Sequence, residues 1–243
     1  MKTFLISVCL LSFSLVAYTQ TLNIHKNGAI IQSIGLRQID SITFTLIGMP
    51  CPGIPTVSYS GRIYNTVLVG DQCWLKENLN VGTMIQGSGD QSNNTVLEKY
   101  CYDNNENNCN NYGGLYQWDE AMQYATNEGA QGICPDGWHL PTLAEFETLK
   151  ATVSDDGNAL KAIGQGSGAG AGTNISGFSA LLAGNGYFQS ALFTALGETG
   201  TFQSSTEGGL GAAQLGLVSN DNSIGGLSGN FKAHGFSVRC IKD

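Results

Sequence analysis

Six cysteines, Cys51, Cys73, Cys101, Cys109, Cys134 and Cys240, are the residues whose type and number best define a chemistry in this chain. An even set downstream of an apolar N-terminal run fits disulfides made in an oxidising compartment, and no His/Cys/Asp spacing here suits zinc. Many pairings are possible for six cysteines. Proximity favours Cys101 with Cys109 across a polar loop and Cys51 with Cys73, which leaves Cys134 for Cys240.

Other residues with chemical potential are dispersed. His25, His139 and His234 fall on separate segments, and His139, beside Trp138 in an apolar stretch, reads as a satisfied core residue rather than a base. Asp103, Asn105 and Asn107 alternate as calcium-loop ligands do. The glycine and the bidentate glutamate that an EF-hand requires are missing at their positions, so this stretch reads as a solvated Asn-rich loop. Asp119 and Glu145 are the kind of carboxylate pair a glycosidase holds about 5 to 10 Å apart, yet each is explained locally, as a helix-face charge and a helix cap. No nucleophile elbow, Walker loop or Rossmann glycine pattern occurs. The run Gly164–Gly172 follows a helix rather than a strand, so it reads as a flexible insertion and not as a phosphate cradle. These residues call for no metal and no cofactor.

The elements that position these residues centre on Tyr112 to Leu149. Trp118, Ala121, Met122 and Ala125 recur at helical spacing and predict one amphipathic helix. Thr142 and Glu145 form a capping box opening a second helix, with Leu143, Phe146, Leu149 and Val153 on one face. Ile133 to Pro141 joins the two as a short buried strand or loop. Upstream, Arg62–Val69 and Gln72–Leu75 are β-branched and aromatic runs broken at Gly70-Asp71, which predicts an antiparallel pair with Trp74 in the core. Downstream, Phe178–Leu182, Tyr187–Phe188, Gly200–Ser204, Ala213–Val218 and Phe236–Ile241 predict a second antiparallel sheet with long loops.

Near the N-terminus, Lys2 precedes an apolar run from Phe4 to Val16, followed by small residues before Gln20. This predicts a signal peptide over residues 1–19 and export of the remainder. A thirteen-residue run is shorter than the roughly 20 residues that span a bilayer, so no membrane-spanning segment is expected. Residues 20–48 form a separate β segment: Leu22, Ile24 and Lys26 alternate, Asn27-Gly28 signals a hairpin turn, Ala29–Ile34 returns, and Ser41–Thr45 adds a third strand. Three prolines between Gly48 and Pro55 mark the boundary. Of the 11 Lys and Arg residues, Lys2 alone lies in the signal, leaving 10 against 19 acidic residues, a net charge of −9. With no basic cluster, this argues against nucleic acid or an anionic membrane as partner.

The stretches YSGRIYNTVLVGDQCWLKENL (from Tyr59), YGGLYQWDEAM (from Tyr112), CPDGWHLPTLAEFETL (from Cys134), GFSAL (from Gly177), GNGY (from Gly184), FQSSTE (from Phe202) and GFSVRCIKD (from Gly235) resemble the Fibrobacter succinogenes major paralogous domain over residues 51–243. More distantly, Trp118, Glu120, Ala121, Leu140, Thr142, Glu145 and Leu149 resemble a run found in C-type-lectin-like folds, to which formylglycine-generating enzymes are related. The resemblance implies an α+β, C-type-lectin-like domain with two antiparallel sheets and two helices, stapled by disulfides and preceded by the small hairpin segment. Two activities suggested by that fold are opposed by the residues. Calcium-dependent lectins need a proline in the ligand loop, and no proline follows Pro141; formylglycine-generating enzymes use a late cysteine pair, and only Cys240 is late.

The expected function is therefore an exported, non-catalytic recognition or adhesion module for an extracellular glycan, surface polymer or protein. Its expected surface is the Gly/Asn-rich stretch Gln203–His234, with Gln203, Asn220, Asp221, Asn222, Asn230, Lys232 and His234 offering polar contacts. The alternatives are an extracellular enzyme acting on polysaccharide or protein, and a structural surface subunit.

Overall fold

The computed structural model describes residues 21–26, 29–35, 48–187, 192–208, 211–225 and 232–243. The chain divides into a unit ending at Thr45 and a larger one from Leu46 to Asp243. In the first, β1 (Thr21–Lys26) pairs antiparallel with β2 (Ala29–Gly35), with a bulge between Ile24 and His25. The Asn27-Gly28 turn and the expected strand Ser41–Thr45 lie outside the described residues, as does the N-terminal run.

The larger unit begins with β3 (Thr56–Tyr59), β4 (Arg62–Val69) and β5 (Gln72–Leu75), an antiparallel meander that turns at Gly70-Asp71. β6 (Thr83–Met84) and β7 (Glu98–Lys99) are a short parallel pair. Next come α1 (Glu106–Tyr112), α2 (Trp118–Ala121), β8 (Trp138–His139), α3 (Leu143–Thr152) and α4 (Gly157–Leu160). β9 (Ala183–Tyr187), β10 (Leu192–Leu196), β11 (Thr199–Gly208), β12 (Gly211–Val218), β13 (Ile224–Gly225), β14 (His234–Gly235) and β15 (Ile241–Lys242) complete the order. The class is α+β. No helix among the described residues is long and apolar enough to cross a membrane.

The tail half does not form one second sheet. It forms two of three strands each, β10-β9-β14 and β11-β12-β13, and its last strand leaves both. β15 inserts between β5 and β8, with Ile241 opposite Trp74 on one side and His139 on the other. The segment before it is clasped on both flanks: the Leu75 and Leu79 amides donate to the Cys240 and Val238 carbonyls, and the Gln203 amide donates to Ser237. Phe178–Leu182 is not a strand, because Ser179 has φ 58°, a left-handed value that breaks an extended run. Ala180 keeps a single bridge to Lys161.

Three disulfides, Cys51–Cys73, Cys101–Cys109 and Cys134–Cys240, join the pairs that proximity favours. One buried cluster surrounds the Cys134–Cys240 bridge with Tyr116, Trp118, Met122, Trp138 and Leu140. The other packs Trp74, Phe146, Phe178, Phe202 and Leu215, with the Trp74 and Phe146 rings stacked at 5.7 Å and Phe178 edge-on to Trp74 at 5.5 Å. Trp74 is thus core, as its type suggests.

The second helix starts as its capping box demands. The Thr142 hydroxyl accepts from the Glu145 amide and the Glu145 carboxylate from the Thr142 amide, 2.7 Å for the latter. The first helix is shorter than its apolar spacing predicts. Gln123 and Tyr124 take φ values of 49° and 59°, and the Ala121 carbonyl receives the Ile133 amide instead of continuing a helical ladder. Trp118, Ala121 and Met122 are nevertheless buried, so the spacing reported a core face rather than a long helix.

Gly164–Gly172 is a packed loop, not a flexible spacer. It turns through a 3-10 segment at Gly168–Gly170, and the Ser167 amide donates to the Ser219 carbonyl at 2.7 Å. A Cβ on Gly170 would sit 2.3 Å from that same carbonyl oxygen, so the absence of a side chain is what allows the approach.

Candidate functional site

A cleft of about 130 Å³ opens between the start of β4, the chain leaving β5, and the C-terminal end of α1. Its floor is made by Asn78 and Asn80, which flank the buried Leu79. The Asn78 amide nitrogen donates to the Tyr112 carbonyl at 2.8 Å and to Ser237 Oγ, and its oxygen accepts from the Arg239 guanidinium at 2.6 Å. Asn80 Nδ2 donates to the Cys109 carbonyl at 2.8 Å, and Asn80 Oδ1 accepts from Lys99 Nζ at 2.6 Å. Each amide nitrogen and oxygen thus has a partner inside the protein. Gly113, with φ 90°, lets α1 close on this floor, since a Cβ there would lie 2.5 Å from the Asn78 Cβ.

The mouth is differently composed. Arg62 donates to Asn110 Oδ1 at 2.6 Å across the cleft, joining β4 to α1. The Glu77 carboxylate accepts from the Asn65 amide and side chain at 2.8 and 2.7 Å, one bond to each oxygen. Asn111 has no side-chain partner among the described residues. Ile63, 69% exposed, and Leu181 add apolar surface. Beneath them, burial pushes the Tyr64 hydroxyl above its ordinary range, and burial draws Lys99 below its ordinary range against the pull of Glu106, 3.7 Å away. The floor amides are tied to two buried cations and to backbone carbonyls, while the mouth offers donors and acceptors to solvent.

A second polar group surrounds His139. Its Nε2 lies 3.0 Å from Glu145 and its Nδ1 2.7 Å from Asp243. Both ring nitrogens are engaged, which suits the satisfied residue the sequence predicts. The Glu145 bond, opposed by burial and joined by the Asp243 bond, raises the imidazole pKa above 6.5. Burial pushes the Glu145 carboxyl up, but bonds from His139 and Thr142 outweigh it and hold it low. The His139 contribution to stability is thus complete below about pH 6.5 and fades as pH rises through the raised value. That of Glu145 is complete above its ordinary value and fades as pH falls through the lowered one. His234, lowered by burial, works in the opposite sense to His139. Raising the pH from about 6 to about 8 is therefore expected to lower the melting temperature of the native chain relative to His139→Gln, by at most about 3 °C because the cluster is partly solvated. Differential scanning calorimetry of the two at both pH values checks this; an unchanged difference would refute it.

Of the residues expected to form a tail surface, Gln203, Lys232 and His234 gather along the Tyr116–Trp118 segment, whereas Asn220–Asn222 lie on another turn. Gln203 is 3% exposed and donates to the Tyr116 carbonyl, so it is a sheet-interior residue and not a contact. Asn220, Asp221 and Asn222 are exposed in the turn after β12, where Asp221 accepts from the Ser223 amide at 2.7 Å and its carbonyl from Lys161 Nζ at 2.7 Å. Lys232 pairs with Glu207 at 2.6 Å and lies 3.9 Å over the Trp118 ring, a different neighbourhood. His234 packs edge-on to Tyr187 at 4.4 Å. Asn230 lies outside the described residues. Among the described residues no hydrogen bond or ion pair links the 220–222 turn to Lys232. Asn105 caps α1 by accepting from the Asn107 amide, Asp119 is exposed on α2, and Glu145 is committed to its cap and His139.

Sequence reasoning missed Arg62, Glu77, Asn78, Asn80 and Asn110–Tyr112 as a group. The one usable signal was Asn78-Leu79-Asn80, a buried leucine between two amides after an apolar strand.

No curated protein and no solved structure matches the chain. The sequence profile of the Fibrobacter succinogenes major domain matches residues 67–242, a span that holds Asn78, Asn80, Lys99, all of α1 and Arg239 but not Arg62 or Ile63. The floor of the cleft and the buried arginine beneath it thus lie in the shared segment, and by that match the chain belongs to the Fibrobacter succinogenes major domain family.

Proposed function

We propose that this chain is an exported, non-catalytic recognition or adhesion module for an extracellular glycan, surface polymer or protein. The cleft carries this reading: its floor groups are used up in holding segments together, and its mouth presents amides, a guanidinium and a carboxylate outward. Amides so bound position a surface, and neither is a nucleophile or a base. The cleft is preferred to the tail loops because Gln203 is buried, Lys232 is paired with Glu207, and the Asn220–Asn222 turn packs on Lys161 instead of joining them.

Export is supported by the three disulfides, which persist in oxidising compartments, and by the apolar leader read from sequence. A C-type-lectin-like arrangement is part of the same proposal. It is supported by the Trp118-to-Leu149 sequence run and by the return of β15 between β5 and β8.

The test is a binding screen of residues 20–243, disulfides intact, against immobilised polysaccharides and surface proteins, with and without EDTA. Retention on at least one of them, unchanged by EDTA and without product release, is expected. Release of reducing ends or peptides would replace the reading with the enzyme alternative.

A further inference from the structure

We infer that the cleft takes one neutral, hydroxyl-rich ring, a pyranose residue of an extracellular polysaccharide, through direct hydrogen bonds; the inference rests on the recognition reading above and specifies its ligand. The mouth brings together a donor, the Arg62 guanidinium, an acceptor, the Glu77 carboxylate, each of whose oxygens already takes one bond and retains a further lone pair, and the Asn110 and Asn111 amides, each of which both donates and accepts. A sugar hydroxyl both donates and accepts, so adjacent hydroxyls match a mouth that mixes these roles.

Charge narrows the class. The Lys99 and Arg239 cations behind the floor are spent on the Asn80 and Asn78 amides, so the mouth itself carries one charge of each sign: an anionic ligand gains Arg62 but meets Glu77 and the field of an exported chain with net charge −9, and a cationic one gains Glu77 but meets Arg62. A neutral polyol meets no like charge. Ile63, which is exposed, and Leu181 also line the cleft and add apolar surface against which the C–H face of a pyranose packs. Size narrows it further: about 130 Å³ is below the roughly 300 Å³ at which pockets begin to engulf a whole small molecule. One ring held at its edge, with the rest of the polymer outside, is what such a volume accommodates.

The floor keeps this geometry. Asn78 ties Tyr112 to the tail through Ser237 and Arg239, and Asn80 ties Cys109 to Lys99, so both walls are fixed before a ligand arrives.

The experiment measures retention of the disulfide-intact chain on immobilised neutral polysaccharides (glucan, mannan, xylan and galactan), on polygalacturonate, on polylysine and on a protein surface such as collagen. Asn111→Ala, Arg62→Ala and a distant control, Ile163→Ala, are compared after calorimetry has confirmed that each folds. Retention on a neutral polysaccharide, insensitive to EDTA, is expected to weaken about 3- to 10-fold in Asn111→Ala and about 10- to 100-fold in Arg62→Ala, with Ile163→Ala unchanged. Competition by the matching methyl glycoside is expected to release the native chain. Retention that neither cleft variant alters would overturn the cleft assignment while leaving recognition in place. Retention confined to a charged polymer or to protein would overturn the ligand class. Retention on none of them would remove the recognition reading itself, and this inference with it.

Discussion

Replacing Arg239 by alanine is expected to destabilise the folded chain by about 4–5 kcal/mol. This side chain is fully buried, between the Phe178 and Phe202 rings, 4.3 and 5.2 Å from their centroids. It donates to the Phe178 carbonyl and to Asn78 Oδ1, the latter at 2.6 Å, and among the described residues no carboxylate lies within ion-pair distance. Burial pushes its pKa down to about 9, still well above neutrality, so the cation persists at pH 7 and is held by oxygens and ring faces. Alanine removes the packing of a large side chain and leaves two buried acceptors without a donor. Methionine restores the volume but not the donors, so Arg239→Met is expected to cost about 2–3 kcal/mol. Lysine keeps the charge but lacks the planar fork that reaches both acceptors, and should also fall short of the native residue. Denaturant unfolding with the disulfides intact measures all three. An alanine variant within about 1 kcal/mol of the native chain would show that Arg239 does not organise the core.

The second large effect belongs to the long disulfide. Cys134 and Cys240 are 106 residues apart, against 8 for Cys101 and Cys109. In the chain-entropy description, closing the longer loop contributes about 4.7 kcal/mol and the shorter about 2.6 kcal/mol. Cys134→Ala with Cys240→Ala should therefore destabilise by about twice as much as Cys101→Ala with Cys109→Ala. The bridge also anchors the segment that carries Arg239, with Cys240 adjacent to it and β15 immediately following. Combining the Cys134/Cys240 double variant with Arg239→Ala is accordingly expected to cost less than the sum of the parts, because loosening the tail already weakens the arginine's contacts. Equal stabilities for the two cysteine double variants, or strict additivity with Arg239→Ala, would contradict this. Non-reducing peptide mapping checks the pairing itself.

What the sequence determined by itself is local or follows from simple counting. The Thr142–Glu145 capping box, the β4–β5 hairpin around Gly70-Asp71 and the β1–β2 hairpin each depend on residues a few positions apart, whose backbone preferences do not wait for distant partners. Disulfide pairing by proximity worked for the two short loops, and elimination then supplied the third. Tertiary structure decided the rest. Trp118 to Ala125 has a helical apolar period, but Ile133 captures the Ala121 carbonyl and the helix ends after four residues. Gly164–Gly172 has a linker's composition, yet Ser219 packs where side chains would be. The cleft was illegible for a related reason. Asparagine satisfies its amide as readily in a solvated turn as in a buried network, so only the approach of β4, α1 and the tail shows that Asn78 and Asn80 are floor and Asn111 is mouth. Whether Arg239 is exposed or buried likewise depends on β15 crossing back between β5 and β8, a contact made across most of the chain's length.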